Sequence, residues 1–124
     1  MKLQDLAKSV KIFESLSQGK VNVKLAYKLM KVLKETKNDI DFYQEKSKEI
    51  IEKYAQRDDK NEIVITPDQT GVMLQEDKID EFNKEYTELN ETEITLPEIK
   101  FEIDEFEDVK LSAVDLMAID EFLK

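Results

Sequence analysis

Between Asn22 and Gln56 the chain has neither glycine nor proline, and its apolar or small residues alternate at spacings of three and four. Ala26, Leu29, Leu33, Thr36, Ile40, Tyr43, Ser47, Ile50 and Tyr54 carry the pattern. Few folds accommodate such a stretch. Residues three and four apart lie on one side of an α-helix, so the pattern predicts one continuous helix with a heptad-like apolar seam. About 35 residues at 1.5 Å each would span about 50 Å, longer than a compact domain of this size usually holds. Part of the helix is therefore expected to project as one arm of a coiled coil. Thr36 and Ser47 weaken the seam, which calls for an intramolecular partner as well as self-association.

The rest of the chain offers that partner. Leu3, Leu6, Val10, Phe13 and Leu16 predict a first amphipathic helix, ended at Ser17-Gln18-Gly19 by a glycine in the left-handed conformation. Asn22 is placed to cap the long helix. Ile79, Phe82, Tyr86 and Leu89 step by three, four and three in an acidic stretch, giving a helix from about Glu76 to Asn90 that would return antiparallel along the long one. Between these helices, Ile63-Val64-Ile65-Thr66 and Gly71-Val72-Met73-Leu74 are β-prone runs around Pro67, predicting a β-hairpin at the tip. Glu93 to Leu96 and Ile99 to Ile103, flanking Pro97, suggest a second small β element, followed by a solvated acidic loop at Asp104–Asp108. Ser112 and Asp115 resemble a capping box, with Leu111 and Leu116 as a hydrophobic staple, before a docked helix over Ala113–Leu123. The resulting expectation is a single domain, residues 1–124, of the α+β class: mainly helical, with a long helical hairpin, a β-hairpin tip and a docked C-terminal helix.

Composition narrows the chemistry. Without cysteine or histidine, the 124 residues exclude thiolate chemistry, imidazole general-base catalysis, His/Cys zinc sites and Ser-His-Asp triads. Gly19 and Gly71 are too far apart for a phosphate-cradling loop. Asp58-Asp59-Lys60-Asn61-Glu62 superficially resembles a calcium loop, but the sixth and twelfth positions counted from Asp58 hold Ile63 and Gln69 where glycine and glutamate are required. It reads as a polar turn. The abundant carboxylates make catalytic pairs such as Glu91 with Glu93, or Asp104 with Asp108, easy to imagine and uninformative; a site would need burial that drives two acids apart in pKa. No catalytic residue, cofactor or metal site is expected.

Charge divides the chain unevenly. Residues 1–60 carry 14 Lys/Arg against 10 Asp/Glu, whereas residues 61–124 carry 5 against 19. Six lysines, Lys20, Lys24, Lys28, Lys31, Lys34 and Lys37, fall within eighteen residues. Nucleic acid is disfavoured as a direct partner by the overall charge of −10 and by the single arginine, Arg57, since bidentate recognition relies on arginine; lysines facing acidic segments are the simpler reading. The acidic half is expected to meet a basic protein partner through Glu81, Glu85, Glu88, Asp104, Glu105, Glu107 and Asp108. Homo-oligomerisation through the long helix is a further expectation. No run approaches the ~18 apolar residues of a membrane span and the N-terminus lacks a signal-peptide core, which predicts a cytoplasmic protein without membrane contact.

Val23-Lys24-Leu25-Ala26-Tyr27-Lys28-Leu29, Glu52-Lys53-Tyr54-Ala55 before an acidic turn, Phe82-Asn83-Lys84-Glu85 leading to Glu88-Leu89 and Glu91-Thr92-Glu93-Ile94, and the closing leucine-rich helix together give the chain its overall look. In these it resembles small proteins of unknown function encoded by phages and prophages of low-GC Gram-positive bacteria. The resemblance implies a phage context, a helical hairpin like a prefoldin arm with a β tip, and no enzyme activity; it transfers no functional residue. The functional expectation is a non-enzymatic interaction protein, a phage accessory or assembly factor. The alternative is an acidic nucleic-acid mimic that inhibits a host defence protein, of the anti-CRISPR or anti-restriction type.

Overall fold

A computed structural model describes all residues, Met1–Lys124. Four α-helices build the molecule: α1 (Leu3–Ser17), α2 (Val23–Tyr54), α3 (Ile79–Asn90) and α4 (Ala113–Ala118). Single 3-10 turns cover Glu76–Lys78, Ile103–Phe106 and Asp120–Phe122.

The 32 residues of α2 form one unbroken rod, about 48 Å long at 1.5 Å per residue. Its start is fixed as the sequence predicts, with Asn22 Oδ1 accepting from the Leu25 N–H at 2.9 Å. The α1 helix packs antiparallel on the first half of α2, and α3 packs antiparallel on the second half. These two shorter helices meet end to end near the middle of the rod, where Leu3 N–H donates to Thr92 O at 2.8 Å and Ile94 N–H donates to Met1 O at 2.9 Å. The carbonyl end of α3 thus faces the amide end of α1, an arrangement in which the helix dipoles attract.

The face that α2 turns inward differs from the expected heptad. Leu25 and Val32 are buried and Ala26 is exposed, so the stripe runs through Leu25, Leu29, Val32, Thr36, Ile40, Tyr43, Ser47, Ile50 and Tyr54. It covers 29 residues in eight steps, close to 3.6 per step, whereas the heptad reading needs 3.5. A 3.6 repeat keeps its stripe parallel to the helix axis, so α2 is straight and a single line of contact serves α1 and then α3. Thr36 enters this stripe because its hydroxyl donates to Val32 O at 2.8 Å, which satisfies the polar atom within the helix. Ser47 meets the Tyr86 hydroxyl at 3.1 Å.

The main core lies at the α1 end. Phe13 stacks on Phe101 at 5.3 Å and meets Phe122 edge-on at 5.2 Å, and Phe101 leans on Phe106. All four rings are buried together with Leu6, Leu29 and Ile119. Residues 94–124 therefore return over α1 and the first half of α2 to close this core. Ser9, fully buried, donates to Asp5 O and to Ala118 O, tying α4 to α1. The capping box at Ser112 and Asp115 forms as predicted, with both reciprocal bonds present.

Several expectations are corrected. The fold is helical and not α+β: there is no β-strand and no sheet, and the β-hairpin tip does not form. Ala55 and Leu74, Arg57 and Ile63, and Ile65 and Val72 make isolated bridges only. Backbone bonds do cross between these segments, from Gln56 N–H to Met73 O at 2.8 Å, Val64 N–H to Gln56 O at 3.0 Å and Met73 N–H to Val64 O at 2.9 Å, but they join single pairs and no strand extends. The second β element is likewise missing, with lone bridges from Lys2 to Glu93 and from Phe101 to Leu123 in its place. Gly19 is not left-handed; α1 ends on an ordinary turn in which Gly19 N–H donates to Leu16 O. The C-terminal helix stops at Ala118 and continues as a 3-10 turn, which lets Ile119 and Phe122 both point into the core. Asp104–Asp108 is not wholly solvated, because Phe106 anchors it at 5% exposure.

Candidate functional site

The seven carboxylates predicted to meet a partner fall into two groups at opposite ends of the rod. Glu81, Glu85 and Glu88 ride on α3, beside the second half of α2. Asp104, Glu105, Glu107 and Asp108 lie on the turn after Phe101, beside the start of α2. The ion pairs of Lys53 with Glu85 and of Lys28 with Glu105, both 2.8 Å, fix the two positions. The two lysines are 25 residues apart, which sets the groups about 37 Å apart along the helix. They do not form one surface.

Three of the seven are already engaged. Glu105 accepts from Lys28 Nζ, which also donates to Lys100 O at 3.0 Å and sits 5.3 Å from the Phe101 ring centre. Partial burial pushes the Glu105 carboxyl up, but the Lys28 hydrogen bond, a bond from the Glu102 N–H and the nearby lysine charges outweigh it and hold the acid below its ordinary value. Glu85 is also held low, chiefly by the Lys53 hydrogen bond; burial opposes it, and the Tyr54 hydroxyl and the Lys53 charge add to the lowering. Glu81 lies 3.6 Å from Lys78. Glu88, Asp104, Glu107 and Asp108 are exposed and form no ion pair.

Around Glu85 and Glu88 the structure adds what the charge pattern does not show. An open groove of about 410 Å³ runs between α2 and α3. Phe42, Ile50 and Leu89 give it an apolar floor, and Lys46, Glu49, Lys53, Glu85, Glu88 and Thr92 form its sides. Phe42 is 47% exposed, unusual for so large an apolar side chain. Beneath the groove the helices are locked: Tyr54 meets Phe82 edge-on, Phe82 stacks on Tyr86, and Tyr43 donates to Asn90 Oδ1 at 2.6 Å. Burial, together with the neighbouring Tyr86 hydroxyl, raises the Tyr43 pKa, so this bond persists through the physiological range.

Comparison with known protein families, with curated proteins and with solved structures finds no match. The site must be read from its own geometry.

Sequence reasoning assigned no site role to Lys46, Glu49 or Lys53 of the groove, and it counted Phe42 among helix aromatics expected mostly in the core, with some free to anchor a partner. One signal pointed to them. Phe42 sits one position before Tyr43 in the inward stripe, about 100° around the helix, where a polar residue would be usual.

Proposed function

We propose that the chain is a non-enzymatic protein-binding module whose α2–α3 groove receives a basic, amphipathic helix of a partner protein. The exposed Phe42 on the wall of a rigid apolar groove is the observation that carries this reading, since aromatic side chains beside a desolvatable pocket are frequent anchors of protein interfaces. Charge supports a basic partner: residues 76–93 contain eight acidic and two basic residues. Lys46 and Lys53 are neutralised by Glu49 and Glu85, leaving Glu88 as an unpaired carboxylate in the groove.

A carboxyl that delivers a proton near neutrality must be held above its ordinary pKa; Asp68, Glu85 and Glu105 are shifted down and do not fit that one role. The nucleic-acid-mimic reading has less support, because its carboxylates are split between two ends and three of the seven are occupied by lysines. A phage accessory or assembly role is the setting that the sequence resemblance suggests for such a module. No helix is long and apolar enough to cross a membrane.

The test uses NMR of the labelled chain titrated with a synthetic helical peptide carrying leucines at three–four spacing and lysines elsewhere. Shift changes centred on Phe42, Ile50 and Leu89, lost in a Phe42→Ser, Glu88→Lys double variant that keeps its helical circular dichroism, are the expected result. Binding that survives the double variant, or changes scattered over the acidic turn at Asp104–Asp108, would overturn the proposal.

A further inference from the structure

The outer face of the first half of α2 remains uncovered, and its chemistry is the inverse of another uncovered patch on the same chain. Val23, Tyr27 and Met30 lie opposite the buried Leu25, Leu29 and Val32 and are 84%, 58% and 40% exposed. They form a continuous apolar stripe. Lys20, Lys24, Lys31 and Lys34 surround it, and none of the four makes an ion pair; of the six lysines in this region only Lys28 and Lys37 find carboxylates. Lys31 Nζ stands 5.7 Å from the Tyr27 ring centre. Acidic segments of the same chain therefore do not cover the lysine cluster, contrary to the simpler sequence reading.

At α4 the arrangement is reversed. Val114 and Met117, one turn apart, are 73% and 76% exposed, and a shallow pocket beside them is bordered by three acids, Asp5, Asp120 and Glu121, and one cation, Lys8. Asp120 and Glu121 form no ion pair. The patch lies beside Asp5 and Lys8 near the start of α1, whereas the stripe borders Ser17 at its other end, so the two patches are apart within one molecule.

We infer that the lysine-rimmed stripe of α2 in one copy docks on the acid-rimmed Val114–Met117 patch of a second copy. The contact is head-to-tail: a docked pair leaves one free patch of each kind, so the association is open-ended or closes as a ring. It is distinct from the α2–α3 groove and does not depend on the function proposed for it. The helix face from Val23 to Lys37 is about 22 Å long and 10–12 Å wide, giving roughly 250 Å² per copy and about 500 Å² in all. That lies below the ~1,000 Å² of stable complexes, so the association is weak and reversible. Because its rim is ionic and solvent-exposed, salt screens it.

Sedimentation of the full chain over a micromolar-to-millimolar range tests the inference. In low salt the average mass should rise with concentration, and in high salt it should return to the monomer. A Lys24→Glu, Lys31→Glu, Lys34→Glu variant and an Asp120→Lys, Glu121→Lys variant should each stay monomeric, because each then carries two patches of one sign. An equimolar mixture of the two should associate again. Circular dichroism confirms folding, and all five positions are exposed. A wild-type chain that is monomeric throughout in low salt, or variants that fail to associate when mixed, would overturn the inference. So would a monomeric chain that instead co-sediments with phosphatidylserine vesicles, which would assign the lysines to a lipid surface.

Discussion

Single side chains decide how the acidic half is held. Four ion pairs join the two unlike halves of the chain, the Met1 amino group with Glu93, Lys2 with Glu91, Lys28 with Glu105 and Lys53 with Glu85. Of these the Lys28–Glu105 pair is the most shielded, with a quarter to a third of each side chain exposed. Glu105 has a folded pKa below its ordinary 4.5. The unfolded chain therefore takes up this proton first as pH falls. Its contribution to stability is full above about pH 4.5 and is lost as pH drops through the folded value. Glu105→Gln should cost about 0.5–1 kcal/mol at pH 7, in the range of partly exposed pairs, and less at pH 3. Urea unfolding of both chains at the two pH values reads this directly, and an equal loss at both would remove the ion pair from the account. Most of this scale was not legible beforehand. That Glu105 would be half-buried follows from Phe106 entering the core, and an isolated Phe in an acidic run gives no sign of which way it points.

Elements were legible where their periodicity was long. The Leu3–Leu16 pattern, the gap-free stretch after Asn22 and the Ile79–Leu89 spacing all became helices, and Asn22 and Ser112 cap as their positions imply. The short β-prone runs misled because β-propensity reflects fit to a pleated, half-buried surface more than a backbone preference. In this segment Ile63 and Val72 reach only an open groove on α2, and Ile65 is 60% exposed, so that surface is incompletely buried. The turns there carry strain in compensation. Gln69 has φ of 60° and Asn61 of 62°, in the left-handed region, while Gly71 does not. Asparagine tolerates that conformation and glutamine does not, at about 1–2 kcal/mol. Gln69→Gly should therefore raise stability by about 0.5–1 kcal/mol after the added unfolded-state entropy of glycine is deducted. Thermal unfolding measures it, and a fall in stability would mean that the turn is set by the Gln69 side chain.

At the scale of the whole molecule, one straight rod organises everything else. The α1 and α3 helices share a single line of contact on it, the phenylalanine core closes one end, and the groove with Phe42 opens beside the other. That layout keeps the groove, the lysine-rimmed stripe and the α4 patch on separate surfaces, so that each is available to a different neighbour. The long helix was legible; its register was not, because 3.5 and 3.6 residues per step differ by only about 20° per heptad and small residues such as Ala26 satisfy either. Neither the groove nor the split of the carboxylates could be read from charge counts, since both depend on where α3 begins along α2. Every part of the account requires α2 to be continuous in solution. Because the chain has no cysteine, spin labels can be placed uniquely at Lys24→Cys and Glu52→Cys, both exposed, and their separation measured by pulsed electron paramagnetic resonance. Twenty-eight residues of unbroken helix predict one narrow distribution centred near about 42 Å between the backbones, whereas a shorter or two-peaked distribution would show a broken rod and contradict the account.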